Sequence, residues 1–345
     1  KADVRQLALE AMRLTVHLRH GPASPRGDEV REEDWLVCSA LGRGARRICE
    51  MCLKPEGRRL KLMPWGGTAA RLSVSKRPSS TADAGEAAVA TESAGSTPIA
   101  GRAYCFLPLP SATGLPVHSN GYFELSANRR DIWHGDDMVG VGQLRSEWNI
   151  ALLQDVLAPC YAQLLLYARS LLHGPAFYAL WPSSKPAEPW GSLVAAMYRL
   201  VLDQPLLRCE ADGGSWLSAR SAIFADGGGF ELPDAARELL LRRGMPLAVV
   251  PAPVQRLLAE AAEAAGRALS VASPEAVRAW LAGDRRLARE SPTEGQRTRR
   301  EGLELLRHCA KGLRGEGMAQ LRGLRLVPLR AGGGARFGDA SRPPL

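Results

Sequence analysis

No uninterrupted apolar run in this chain approaches the roughly 18 residues that cross a bilayer, and no secretory leader is recognisable, so neither a membrane span nor export is expected. Lysine occurs at only six positions, which leaves arginine to supply 39 of the 45 basic residues. The six histidines (17, 20, 118, 134, 173 and 308) form no ligand-spaced cluster, so no metal site is expected from them. The Gly-x-x-x-x-Gly-Lys-Ser/Thr phosphate loop, the Gly-x-Gly-x-x-Gly turn, Gly-x-Ser-x-Gly and His-Glu-x-x-His are all missing. The chain therefore announces no enzyme by motif. Its seven cysteines are odd in number and mostly sit among apolar neighbours, as in Leu36-Val37-Cys38 and Tyr104-Cys105-Phe106. Buried free thiols in a reducing, cytoplasmic setting are the expectation.

What is present is ordinary globular material: 345 residues, 46% hydrophobic and 23% charged. That is enough for two or three domains and excludes a disulfide-stapled miniprotein, a coiled coil or a collagen-like fibre. The formal charge of +9 invites a nucleic-acid reading. However, residues 1–100 hold 16 basic against 12 acidic side chains, and the remainder of the chain carries a similar excess. Nucleic-acid footprints concentrate on a stripe or an arm. The spread charge, with heavy alanine use, reads as compositional bias.

Along the chain, residues 2–19 read as a helix, from Val4, Leu7, Leu9, Met12, Leu14 and Val16, with a polar linker through 33. A strand over 34–41, a helix over 44–53 and a strand over 60–63 follow. Residues 75–100, rich in Ser, Thr, Ala and Gly, read as a disordered insertion. Segments 102–109 and 116–125 read as a hairpin, and 147–172, behind an N-cap at Ser146, as a long helix that Pro159 should kink or split. Leu206–Cys209 and Trp216–Phe224 read as a second hairpin. Helices and short strands then alternate to a last hairpin over 324–337. The fold class expected is α+β, a mixed sheet with helices followed by a second helix-rich α+β region. The divisions are 1–33, 34–145 and 146–345.

Cys49-Glu-Met-Cys52 has zinc or redox spacing but lacks a second pair, and reads as buried thiols. Trp65, Trp133, Trp148 and Trp190 read as packing anchors at element ends. The densest segment is 101–149, where a strand ends in Asn128-Arg129-Arg130-Asp131. Two such arginines either pair with carboxylates as scaffold or are held out to meet an anion such as phosphate. On residue type alone the scaffold role is favoured.

Several segments together resemble the repeated regions of the sacsin family of chaperone-like proteins, including plant and algal members. They are MPWGGTAARL (63–72), GRAYCFLPLPSATGLPVHSNGYFELSANRRDIW (101–133) and SEWNIALLQDVLAPCYAQLL (146–165), with weaker ones following in the family's order to 338. The positions carrying the resemblance include Trp65, Gly66, Gly67, His118, Asn120, Gly121, Asn128, Trp148 and Asn149.

The resemblance implies a segment that follows a GHKL-type ATP-binding domain, with 34–145 similar to a transducer or middle domain. It also implies that Arg129 or Arg130, with Arg102 behind them, could offer a cation to the γ-phosphate. Nothing upstream of residue 34 is long enough to form the nucleotide-binding half, and the chain opens at Lys1 within a patterned segment. It is thus expected to be part of something longer, to be no enzyme by itself, and to hold neither ATP nor Mg²⁺ alone. Implied partners are client polypeptides, the seventy-kilodalton heat-shock system and neighbouring repeats. The competing readings are an arginine-rich nucleic-acid binder, which predicts steeply salt-dependent binding, and an enzyme with a dispersed site, which needs a pocket of converging titratable groups.

Overall fold

Met12 to Arg19 alternate strictly apolar and polar, a period of two that belongs to a strand. In the computed structural model, which describes residues 8–19, 29–42, 46–78, 90–93, 99–135, 140–209, 211, 214–227, 229–283, 295–322, 324–328 and 334–336, this stretch is β1 (Ala8–Arg19). The helix expected over 2–19 is thereby corrected for 8–19, while 2–7 lie outside the described residues. Of the six residues that suggest a helix, Val4, Leu7, Leu9, Met12, Leu14 and Val16, the last three fit a period of two that is sustained through Leu18. β1 pairs antiparallel along its whole length with β2 (Glu29–Leu41). Arg13 and Thr15 from β1 both bond the carboxyl of Asp34, at 2.9 and 2.8 Å. Their hydrogen bonds, Thr15's foremost, hold Asp34 below the usual carboxylate range.

Two short helices follow, α1 (Arg46–Leu53) and α2 (Pro55–Arg59). Residues 60–63, expected as a strand, form a turn and an irregular exit, and the strand begins only at Trp65. β3 (Trp65–Pro78) runs on into the stretch expected to be a disordered insertion, and β4 (Ala90–Ser93) pairs with it. The remaining residues of that insertion, 79–89 and 94–98, lie outside the described residues.

β5 (Arg102–Cys105) and β6 (Leu107–Ala112) form a hairpin turned at Phe106, and β7 (His118–Gly121) follows. The expected hairpin between 102–109 and 116–125 does not form. Instead β7 lies between β3 and β5, antiparallel to the first and parallel to the second. The sheet order is β1-β2-β3-β7-β5-β6, with β4 on β3, a seven-stranded mixed sheet. The fold is α+β.

One helical run covers one face of the sheet: α3 (Val141–Leu152), a π-helical turn (Leu153–Leu157) and α4 (Ala158–Ala168). Ser146 lies inside it and not at its cap. Pro159 brings no N–H to the ladder and crowds the preceding turn. The chain absorbs this by widening the turn, so that the Ala158 N–H reaches the carbonyl of Leu153, and the run is not split. Leu36, Cys38 and Ala40 on β2 and Ala70 and Thr68 on β3 are buried on this side. The helix comes so close to Gly66 that a Cβ there would sit 3.0 Å from Leu157 Cδ2. By length and composition, 141–168 could cross a membrane, yet two thirds of its apolar window is buried in the protein, as for a core helix. α5 (Pro175–Tyr178), α6 (Trp190–Val201) and, later in the chain, α8 (Ala252–Ala264) complete this unit, which comprises 1–204 and 251–265.

The second compact unit comprises 205–250 and 266–345. This division differs from the boundary read at 145/146, because the helix after the sheet packs on the sheet. In the second unit β8 (Leu207–Arg208) pairs with β9 (Trp216–Leu217). β10 (Ile223–Phe224) leaves that hairpin and joins a parallel sheet with β13 (Leu247–Ala248) and β14 (Ser270–Val271). Trp216–Phe224 is therefore two strands in different sheets and not one arm of a hairpin. β11 (Asp226–Gly227) and β12 (Phe230–Glu231), then α7 (Asp234–Arg242), lie between β10 and β13. α9 (Pro274–Gly283) and α10 (Gly295–Ala310) contribute to a core that includes Leu239, Met245, Val277, Leu305 and Cys309. A terminal hairpin, β15 (Arg325–Pro328) with β16 (Gly334–Arg336), matches the expectation.

Candidate functional site

The face of the seven-stranded sheet turned away from the 141–168 helix carries a set of aromatic and charged groups drawn from four strands. β3 presents only Gly67 and Ala69 beside β7, and over this low ground the rings of Trp35 from β2 and His118 from β7 stack, centroids 5.4 Å apart. Tyr104 from β5 meets His118 edge-on at 5.4 Å. The backbone N–H of Arg102 donates to His118 Nδ1 at 3.1 Å, so the ring's own proton sits on Nε2. Burial first, then the Arg102 and Arg71 guanidiniums, push the His118 pKa down, and the imidazole is neutral.

Beside the shelf, Glu33 is buried yet ionically supported. Arg31 lies 2.5 Å and Arg71 3.4 Å from its Oε1, and the Trp35 indole N–H donates to Oε2 at 3.0 Å. At the other end Phe106 adopts φ +62°, a left-handed conformation unusual for an aromatic residue. Its N–H donates to Asn120 Oδ1 at 3.2 Å, and its ring stacks on Trp65 at 6.1 Å and meets Tyr122 edge-on. Met12, Leu14, Val16 and Leu18 extend this face across β1, opposite Val37, Trp35, Glu33 and Arg31, and are 54%, 40%, 37% and 39% exposed.

The positions picked from the sequence divide among three places. Trp65, His118, Asn120 and Arg102 belong to the shelf. Gly66 and Gly121 lie beneath the helix, against Leu157 and Leu152, while a Cβ on Gly67 would come 2.9 Å from the Cys38 carbonyl. Trp148 and Asn149 hold the segment 122–133 to α3. The Trp148 indole donates to the Tyr122 carbonyl at 2.8 Å, and the Asn149 amide bonds both Glu124 and Trp133.

Asn128, Arg129 and Arg130 form the tip of a tight loop closed by a bridge between Leu125 and Ile132. Ser126 Oγ and the Arg130 N–H bond Asn128 Oδ1, and Ser111 Oγ bonds Asp131 Oδ1. Arg129 sits at φ +52°. Both arginines are exposed, and among the described residues no carboxylate pairs with either guanidinium. The structure does not gather all three arginines at one point: Arg102 acts on His118 at the start of β5, and Arg129 acts on Cys105 at its end. The Trp35, Tyr104, Glu33 and Arg71 members of the shelf were missed by sequence reasoning. The alternation in β1 was the available signal.

Cys49 and Cys52 share one turn of α1, and the Cys49 thiol donates to the Gly42 carbonyl at 3.2 Å. Burial, and then Cys49, push the Cys52 thiol pKa up, so Cys52 is not held as a thiolate. Among the described residues no set of three His, Cys, Asp or Glu side chains could hold a metal ion.

No protein-family model matches the chain, and no solved structure does. Among curated proteins it is similar to human sacsin, 27% identical over 222 residues, which is 60% of this chain and 4% of sacsin. The chain thus spans a small fraction of the length of the relative it matches. This distant similarity supports a relationship to sacsin.

Proposed function

We propose that the chain is a segment of a sacsin-like chaperone or co-chaperone, corresponding to the repeat region behind a GHKL-type ATP-binding domain, and that it acts as a scaffold for client or partner polypeptides in the cytoplasm. The observation that carries this reading is the similarity to human sacsin over 222 residues. The mixed sheet with a long helix along one face is in keeping with a transducer-like role. In that role the chain is not itself an enzyme. Nucleotide and Mg²⁺ would be held by the ATP-binding domain of a larger protein, and this chain would supply a guanidinium from the 126–131 loop. Arg129 and Arg130 suit this task because they are exposed on a loop whose shape is fixed by Asn128 and Asp131.

The test of the scaffold reading is aggregation of a heat-unfolded test enzyme, followed by light scattering with and without the chain. Suppression near equimolar ratio is expected. Unchanged scattering at a several-fold excess of the chain would overturn the reading.

A further inference from the structure

We propose that the apolar row of β1, together with the Trp35–His118 shelf beside it, is a docking face for an acidic amphipathic polypeptide segment. The proposal rests on the reading that the chain handles polypeptides and names the chemistry of the partner.

The strand itself carries the first argument. Strict alternation marks a strand with one face buried and one wet. On β1 the polar row is already used within the sheet: Arg13 and Thr15 bond Asp34, and His17 lies 3.2 Å from Glu32. The apolar row, Met12, Leu14, Val16 and Leu18, is exposed as well, all four side chains on the same face as Trp35 and Val37. A run of apolar side chains at this density on one face is the mark of an interaction surface and not of scattered surface leucines.

Charge selects the occupant. Arg31, Arg71 and Arg102 surround the shelf, and Glu33, bonded by the first two, is the carboxylate beside Trp35. By register Glu10, opposite Ser39, and Glu92, opposite Val74, also lie on this face, as does Lys76, opposite Arg31. Pairing with Glu33 does not cancel the excess of guanidinium charge. A second copy laid face to face would set these arginines against their own images, which like-charge repulsion opposes. A segment with apolar side chains along one edge and carboxylates along the other satisfies both parts, its apolar edge on β1 and Trp35 and its acids toward Arg31 and Arg102. The neutral His118 keeps its Nε2–H as a further donor to a carboxylate.

The experiment uses the full chain and two synthetic peptides with the same leucine positions, one with glutamate and one with lysine at the polar positions, read by fluorescence anisotropy. The glutamate peptide should bind at least about tenfold more tightly than the lysine peptide. Leu14→Ser with Val16→Ser should weaken it by about tenfold. Arg102→Glu, an exposed change on β5, should narrow the difference between the two peptides. Thermal melts establish that the variants fold, and if the β1 variant does not, Arg102→Glu decides alone. Equal affinity for both peptides, no binding of either, or indifference to these substitutions would overturn the proposal. So would a dimer in sedimentation that Leu14→Ser with Val16→Ser dissolves, which would make the occupant a second copy. Suppression of client aggregation by wild-type chain is scored separately. If it survives the β1 substitutions, the docking face is wrong and the scaffold reading stands; if wild type shows none, the scaffold reading fails whatever the peptides do.

Discussion

The side-chain amide of Asn149 grips the main chain of Glu124 at both its polar groups. Glu124 N–H donates to Asn149 Oδ1 at 2.9 Å, and Asn149 Nδ2 donates to the Glu124 carbonyl at 2.7 Å and to that of Trp133 at 2.8 Å. One buried residue on a helix thereby mimics a strand neighbour for a segment that has left the sheet. Asn149→Ala removes all three bonds and leaves main-chain groups unpaired near the core. A loss of about 3 kcal/mol is expected, since each unsatisfied group costs roughly 1–3. Urea unfolding measures it, and amide exchange at Glu124 should rise more than exchange in β2.

The two adjacent glycines of β3 should respond unequally to the same change. A Cβ on Gly66 meets Leu157 Cδ2 at 3.0 Å and Cγ at 3.2 Å, side-chain atoms, and the Asn120 carbonyl oxygen only at 3.3 Å. A Cβ on Gly67 meets the Cys38 carbonyl oxygen at 2.9 Å, and that atom belongs to the strand ladder. Gly67→Ala is expected to cost about 2–3 kcal/mol and Gly66→Ala about 1–2, the range of overpacking changes. Denaturant midpoints of the two variants test the order, and a larger loss at Gly66 would show the helix to be the stiffer neighbour.

How far the sequence carried depended on how local the cause was. The mixed α+β class and the final hairpin follow from periodicity and turn residues in a single window. The hairpin at 102–125 did not, because β7 pairs with β3, some fifty residues away, and nothing near Pro116 encodes that choice. β1 was misread because Met12, Leu14 and Val16, which fit a period of two, were counted with Val4, Leu7 and Leu9 toward a helix. The family-like positions were legible as a set, yet their roles were not: Trp148 and Asn149 act through main-chain carbonyls, which have no side-chain signature. The shelf residues Trp35, Tyr104 and Arg71 come from three strands and meet only in the folded sheet.

His308 makes the second unit sensitive to acid. Its Nε2 lies 3.0 Å from the Ala272 carbonyl, and its Nδ1 is buried with no partner among the described residues. Burial first, aided by Lys311 and Arg278 against the Ala272 bond, lowers its pKa from the ordinary 6.5. The unfolded chain therefore takes up a proton at a higher pH than the folded one. Stability from this group is complete above 6.5 and falls as pH drops from there through the lower folded value. His118 shifts in the same direction and adds the same sign in the first unit. Melting temperature should decline between neutral pH and about pH 5, and His308→Gln should flatten that decline.

Arg129 offers a substitution that separates charge from shape. At φ +52° its Cβ is in a conformation that glycine adopts without penalty. Arg129→Gly should therefore leave the chain equally stable or raise it by up to about 1 kcal/mol, the usual relief of left-handed strain. Arg129→Ala removes the same guanidinium but keeps the strain. If the loop supplies a cation to nucleotide bound elsewhere in a larger protein, both variants lower ATP turnover there to a similar extent despite their different stabilities, and Arg129→Gly with Arg130→Ala lowers it further. Turnover at the wild-type rate in all three would leave these arginines as surface residues and remove phosphate sensing from the proposed function.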